Sequence, residues 1–129
     1  MKFTYTKKVD STFEMTLDEL KFNLADRGFG VVSEVDVSEK IVTKVTSDFG
    51  PYRILGVCNP EFAYKYLRKN LENGVFLPCT ICVYEDDGSV YVSVGKVDPI
   101  ISTFIKDESL ERLSKEITKT LIEAVDEIK

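Results

Sequence analysis

Apolar and polar positions along the chain follow two rhythms, one of period two and one of about 3.6, and they alternate from end to end. Residues 2–9 predict a first strand. Thr16-Leu17-Asp18-Glu19 has the spacing of a capping box and predicts a helix start, with Leu17, Leu20 and Leu24 on one face and Gly28 as a left-handed terminal cap. Residues 29–37 alternate as a strand, with Val31, Ser33, Val35 and Val37 on one side and Val32, Glu34 and Asp36 on the other. A short helix is expected near residues 39–45. Phe49-Gly50-Pro51 breaks it, and Tyr52 to Cys58 returns to strand.

Asn59-Pro60 reads as an N-cap followed by proline at the first helical position, and the helix it opens should bury Phe62, Ala63, Tyr66, Leu67 and Leu71. Residues 77–85 and 90–97 are β-rich runs joined at Asp86-Asp87-Gly88, the strongest hairpin signal in the chain. A final helix over 108–128 carries Leu110, Leu113, Ile117, Leu121, Ala124 and Ile128 on one face. The predicted order is β-α-β-α-β-α-β-β-α. Because a hairpin demands an antiparallel pair, the expected fold is α+β, a mixed or mainly antiparallel sheet with helices packed on it. No linker or repeat divides residues 1–129, so a single domain is expected.

Composition narrows the function classes. With 129 residues, 43% of them apolar, folding should bury about two-thirds of the extended chain's surface, enough for a core without metal or disulfide staples. The longest uncharged run, residues 73–84, is far short of the roughly 20 residues a spanning helix needs. Met1 to Lys8 lacks the apolar centre of a signal peptide, and three cysteines are an odd number, so a reducing cytoplasmic setting is expected. The formal charge of −5 speaks against nucleic acid as a partner, and the cluster Lys65, Arg68 and Lys69 reads as the solvated face of a helix.

Histidine is absent, which removes Ser-His-Asp and Cys-His catalysis and leaves only cysteines and carboxylates for a metal. Neither a metal nor a cofactor is expected. Cys79-Thr80-Ile81-Cys82 matches C-x-x-C but lies within a strand, where residues three apart face opposite sides, so two strand cysteines are expected rather than a redox pair. Cys58 ends a strand just before a helix start, a position where free N–H groups favour a thiolate; Glu61 opposes that, and a small residue filling a strand end is the simpler account. Gly28-Phe29-Gly30 follows a helix and precedes a strand, the reverse of a dinucleotide loop. Glu34 and Asp36 share a strand face that could serve acid–base work or simply be solvated. Arg53 could grip an anionic ligand or make a surface ion pair.

Four stretches resemble the family known as domain of unknown function 302: Gly28-Phe29-Gly30-Val31 with Glu34-Val35-Asp36-Val37; Pro51 through Pro60, which includes Tyr52-Arg53-Ile54-Leu55-Gly56; Leu77-Pro78-Cys79 with Val83-Tyr84-Glu85; and Val97-Asp98-Pro99. The resemblance covers about residues 3–125. It implies a small α+β homodimer with no assigned activity. Cys58 and Cys79 fall on its motif positions, Cys82 does not, and it assigns no catalytic residue.

Three functional expectations result. The first is a domain that binds a small molecule or ion, without nucleic acid or membrane as partner, in a pocket near Asp36, Cys58, Asn59 and Cys79, with Arg53 as a further ligand contact. The second is an interaction module using Phe22 or the Phe49-Gly50-Pro51 loop. The third is a thiol-dependent redox enzyme using Cys58 with Cys79. No feature of the sequence specifies a reaction.

Overall fold

A computed structural model describes residues 2–129. Five strands, β1 (Thr4–Val9), β2 (Gly30–Asp36), β3 (Tyr52–Cys58), β4 (Cys79–Asp86) and β5 (Ser89–Gly95), form one sheet in the order β1-β5-β4-β3-β2. Every neighbouring pair is antiparallel. The helices are α1 (Phe13–Ala25), α2 (Val37–Lys44), α3 (Pro60–Lys69), α4 (Asp98–Phe104) and α5 (Glu108–Asp126), with a 3-10 helix over Leu71–Phe76.

Alternation in the sheet decides which face is covered. Leu55 and Val57 of β3, Ile81 and Val83 of β4, and Val90, Val92 and Val94 of β5 are buried together with Leu17, Leu20 and Leu24 of α1 and Leu110, Ile117 and Leu121 of α5. At about 25 cal/mol per Å² of apolar surface, this layer is the main source of stability. Tyr66 of α3 is buried in the same layer, and its hydroxyl is hydrogen-bonded to Ser114 of α5. The opposite face carries Tyr52, Ile54, Cys82, Tyr84, Tyr91 and Ser93, all half-buried and without a helix layer.

The α+β class and the antiparallel hairpin hold as expected. Asp87 and Gly88 both adopt positive φ, 50° and 80°, the backbone of a two-residue type I′ turn. Asn59 caps α3, accepting from the N–H groups of Glu61 and Phe62. Gly28 adopts φ 83°, and the Phe29 N–H reaches back to the Leu24 carbonyl.

Several local expectations are corrected. Helix α1 begins a turn before the Thr16 capping box: Thr12 is its N-cap and accepts from the Met15 N–H, while Thr16 is fully buried. Phe13 extends the Leu17, Leu20 and Leu24 stripe backwards, and burial of that longer stripe outweighs the local capping signal. Strand β2 contains a bulge between Val31 and Ser33, so Val31 pairs with Val57 on the covered side while Ser33 pairs with Gly56 on the open side. Leu71, expected to be buried, is 82% exposed. Asn70 ends α3 and caps the 3-10 helix through Glu72, because its side chain offers the backbone an alternative partner. Helix α4, which was not predicted, carries Pro99 in its first turn.

Candidate functional site

The residues singled out from the sequence fall at opposite ends of β3. Asp36 pairs with Arg53 at one end, whereas Gly30 pairs with Cys58 at the other. Five residue steps along the strand separate Arg53 from Cys58, a span of about 17 Å. The structure therefore does not gather Asp36, Cys58, Asn59 and Cys79 into one pocket.

At the first end, the register sets Arg53 beside Asp36 and diagonally from Glu34, on the covered side of the sheet. Its guanidinium lies 2.5 Å from Glu34 and 3.5 Å from Asp36, and 6.0 Å from the centre of the Phe13 ring. Lys21 of α1 reaches Glu34 at 2.8 Å. The Lys21 hydrogen bond, with help from Arg53, holds the Glu34 carboxyl below its ordinary pKa. Asp36 is also lowered, first by the Ser38 hydroxyl and then by the Glu39 N–H, because it is the N-cap of α2. Burial opposes charge on Arg53, but Glu34 and Asp36 outweigh it and raise its pKa. Both carboxylates already have cationic or N–H partners, and Arg53 is committed to them. A cleft of about 390 Å³ lies beside this cluster, between Phe13, Val42 and Phe49.

At the other end, Asn59 is held by its capping role, and its amide nitrogen packs against Gly28; a Cβ at Gly28 would sit 3.0 Å from it. Cys79 pairs with Val57, so Cys58 and Cys79 lie on neighbouring strands one position out of register and face opposite sides of the sheet. Burial pushes the Cys79 thiol up to about 11, with a smaller contribution from Cys58. Such a thiol is only about one part in 10⁴ ionised at neutral pH. Cys82 sits on the open face, where its hydrogen bond, together with burial, raises Tyr52 to about 12. All three cysteines are free. Among the described residues, no three acidic or cysteine side chains gather in a way that could hold a metal ion.

Cys79 has a second neighbourhood that spacing did not reveal. It lines an apolar cavity of about 450 Å³ at the end of the sheet where β4 begins and β5 stops. Phe3, Phe76, Pro78, Ile100 and Phe104 supply most of the wall, and Thr80, Lys96 and Thr103 supply its polar atoms. Phe3 and Phe104 are 68% and 71% exposed, so two aromatic rings stand open to solvent at this cavity. Pro78 is fixed against the bare backbone of Gly56, where an added Cβ would come within 2.7 Å of its Cγ and would also collide with the Ser33 hydroxyl. The one sequence signal was Asp98-Pro99, a helix start that would have placed Ile100 and Phe104 one turn apart on the same face.

An antiparallel α+β sheet with a small apolar cavity at its end defines the class. The sequence matches the family described as Domain of unknown function DUF302 over residues 5–128, and the chain belongs to that family. Its structure is similar to the crystal structure of an uncharacterized conserved protein DUF302 from Bacillus stearothermophilus, with 32% identity, complete coverage of both chains and a TM-score of 0.92. No curated protein matches the sequence. No helix of the described residues is long and apolar enough to cross a membrane.

Proposed function

We propose that this protein binds a small, mainly apolar molecule in the cavity beside Cys79. The observation that carries the reading is the wall: aromatic and aliphatic side chains with a few polar groups, enclosing a volume within the range of small-molecule sites. Lys96 supplies a cation for a ligand with an acidic head, and the protonated Cys79 thiol serves as an apolar wall rather than a nucleophile. Cys58 and Asn59 support the site from the adjoining end of β3, outside the cavity lining. The redox alternative gains no support from a buried Cys79 whose nearest strand partner faces the other way. Free thiols favour a reducing, cytoplasmic setting.

The test is titration with anilinonaphthalene sulfonate, an apolar fluorophore with an acidic group. Saturable binding at one site per chain is expected, and Ile100→Trp, which fills the cavity, should abolish it. Equal binding by that variant would sink the reading.

A second reading, self-association, is favoured by the open sheet face. Tyr52, Tyr84 and Tyr91 stack in a row, with ring centres 5.1 Å and 5.7 Å apart, and Phe49 extends the row at 6.1 Å. Aromatic area of this kind suits a homodimer contact. Sedimentation should show a dimer that Tyr84→Arg converts to monomer; a monomeric wild-type chain at high micromolar concentration would exclude it.

A further inference from the structure

A second recess lies in the groove between α3 and α5, and no cysteine lines it. Its volume is about 580 Å³, and its charged lining is lopsided: Lys65, Arg68, Lys69 and Arg112 against the single carboxylate of Glu116. The formal charge of the whole chain is −5, so three net positive charges in this groove leave eight net negative charges elsewhere. The concentration arises from two helical spacings that meet. Lys65, Arg68 and Lys69 recur at i, i+3 and i+4 on α3, and Ser109, Arg112 and Leu113 repeat that spacing on α5. The Tyr66–Ser114 hydrogen bond and the buried Leu110 and Leu113 clamp the helices together, so the cations confront one another across a fixed gap.

Few of these charges are used internally. Lys69 lies 3.5 Å from Asp107, a modest exposed pair. Among the described residues, Lys65, Arg68 and Arg112 have no carboxylate within ion-pair distance. Lys65 and Arg68 instead lie over the rings of Phe62 and Tyr64, and Arg68 also donates to the Tyr64 hydroxyl at 3.1 Å. This holds the Arg68 side chain in place without neutralising it. Like charges facing one another are unfavourable, and an anion between them relieves that repulsion.

We infer that the α3–α5 groove is a second binding site, for a small molecule carrying a phosphate or pyrophosphate group. Two guanidinium groups offer the forked donors that match phosphate oxygens, and two ammonium groups supply further charge. Leu110 and Leu113 form an apolar floor for the rest of the molecule. A long polyanion fits poorly, because beyond the groove it meets a surface of the same sign as its own.

The test follows backbone amide shifts of the ¹⁵N-labelled chain during titration with inorganic pyrophosphate at constant ionic strength. Saturating shifts are expected within residues 65–69 and 109–116, with a Kd of about 1 mM or tighter. The double variant Arg68→Gln, Arg112→Gln should weaken binding by at least about tenfold, with the rest of its amide spectrum unchanged as evidence of an intact fold. Lys40→Gln, on the remote α2, should bind as wild type. Shifts that fail to saturate, or that spread over Lys40 and Lys44, would reveal unspecific attraction and overturn the proposal. So would equal affinity in the double variant, or an absence of pyrophosphate shifts alongside tight binding of a single-stranded oligonucleotide. Because Ile100→Trp tests the cavity beside Cys79 and the arginine double variant tests this groove, either site can fail without the other.

Discussion

The two ends of β3 carry the residues that attracted notice in the sequence, and they differ in what their chemistry leaves available. At the Arg53 end, the charges on the strands have partners: Arg53 with Glu34 and Asp36, Glu34 also with Lys21, and the Asp36 carboxylate with the start of α2. At the Cys79 end there is little charge, and apolar side chains line a recess open to solvent. Polar side chains that satisfy one another are structural even when their types suggest catalysis. Apolar side chains that leave a hole between them forgo contacts a ligand can supply.

The largest effect should come from the backbone seam that shapes the apolar end. Gly56→Val would drive a side chain into Pro78 and Ser33, and the strain should cost about 3 kcal/mol or more. Urea denaturation should show this as a lower midpoint at unchanged slope, with loss of anilinonaphthalene sulfonate binding.

Next is the alkaline response of Cys79. Its folded pKa, about 11, lies above that of a free thiol, so the unfolded chain ionises first as pH rises. The stability this residue contributes is complete below about pH 8.5 and is lost progressively up to pH 11, by about 3 kcal/mol. Cys79→Ala should remove that part of the pH dependence, measured as the difference between the two proteins' denaturation midpoints from pH 8 to 11. Alkylation should tell the same story: Cys79 should react at pH 8 about a hundredfold more slowly than an ordinary thiol, and more slowly still with a ligand in the cavity.

The smallest effect belongs to the charged end. Arg53→Met should cost less than about 1 kcal/mol, since the Arg53–Glu34 pair is partly open to water. Its signature is the acid limb. The pKa of Glu34 is depressed in the fold, so its contribution is present above the unfolded value of about 4.3 and lost as pH falls through the lower folded value. With Arg53 gone the acid limb should become shallower but persist, because Lys21 still holds Glu34, while anilinonaphthalene sulfonate binding stays intact. A variant that lost binding as well would show that the two ends are coupled.

Local signals were readable wherever neighbours in sequence are also neighbours in space. The Asp87-Gly88 turn, the Asn59-Pro60 helix start, the Gly28 cap and the apolar stripe of α5 all appeared as expected. Family membership was legible too, because the stretch from Tyr52 to Pro60 combines a complete strand with its following cap. The failures lie where a distant partner decides. Thr16 had a good local capping box, but burial of the stripe beginning at Phe13 overruled it. Val32 gave no sign of a bulge, which is set by pairing with β3. Asp36 and Cys58 were expected in one pocket because both lie in stretches that resemble the family. Only the antiparallel register shows that they flank opposite ends of β3.

By itself the sequence determined the element types, the antiparallel hairpin, the family and the absence of any histidine chemistry, since these depend on residue identity and on spacing within one turn or one strand. Only the tertiary structure decided the rest. It set the strand order, the face of each cysteine, the ion-pairing of Arg53, the apolar cavity built from three separate segments, and the meeting of α3 with Arg112 of α5. Those features arise from contacts between residues tens of positions apart, and their positions are set by how the helices and strands share one core.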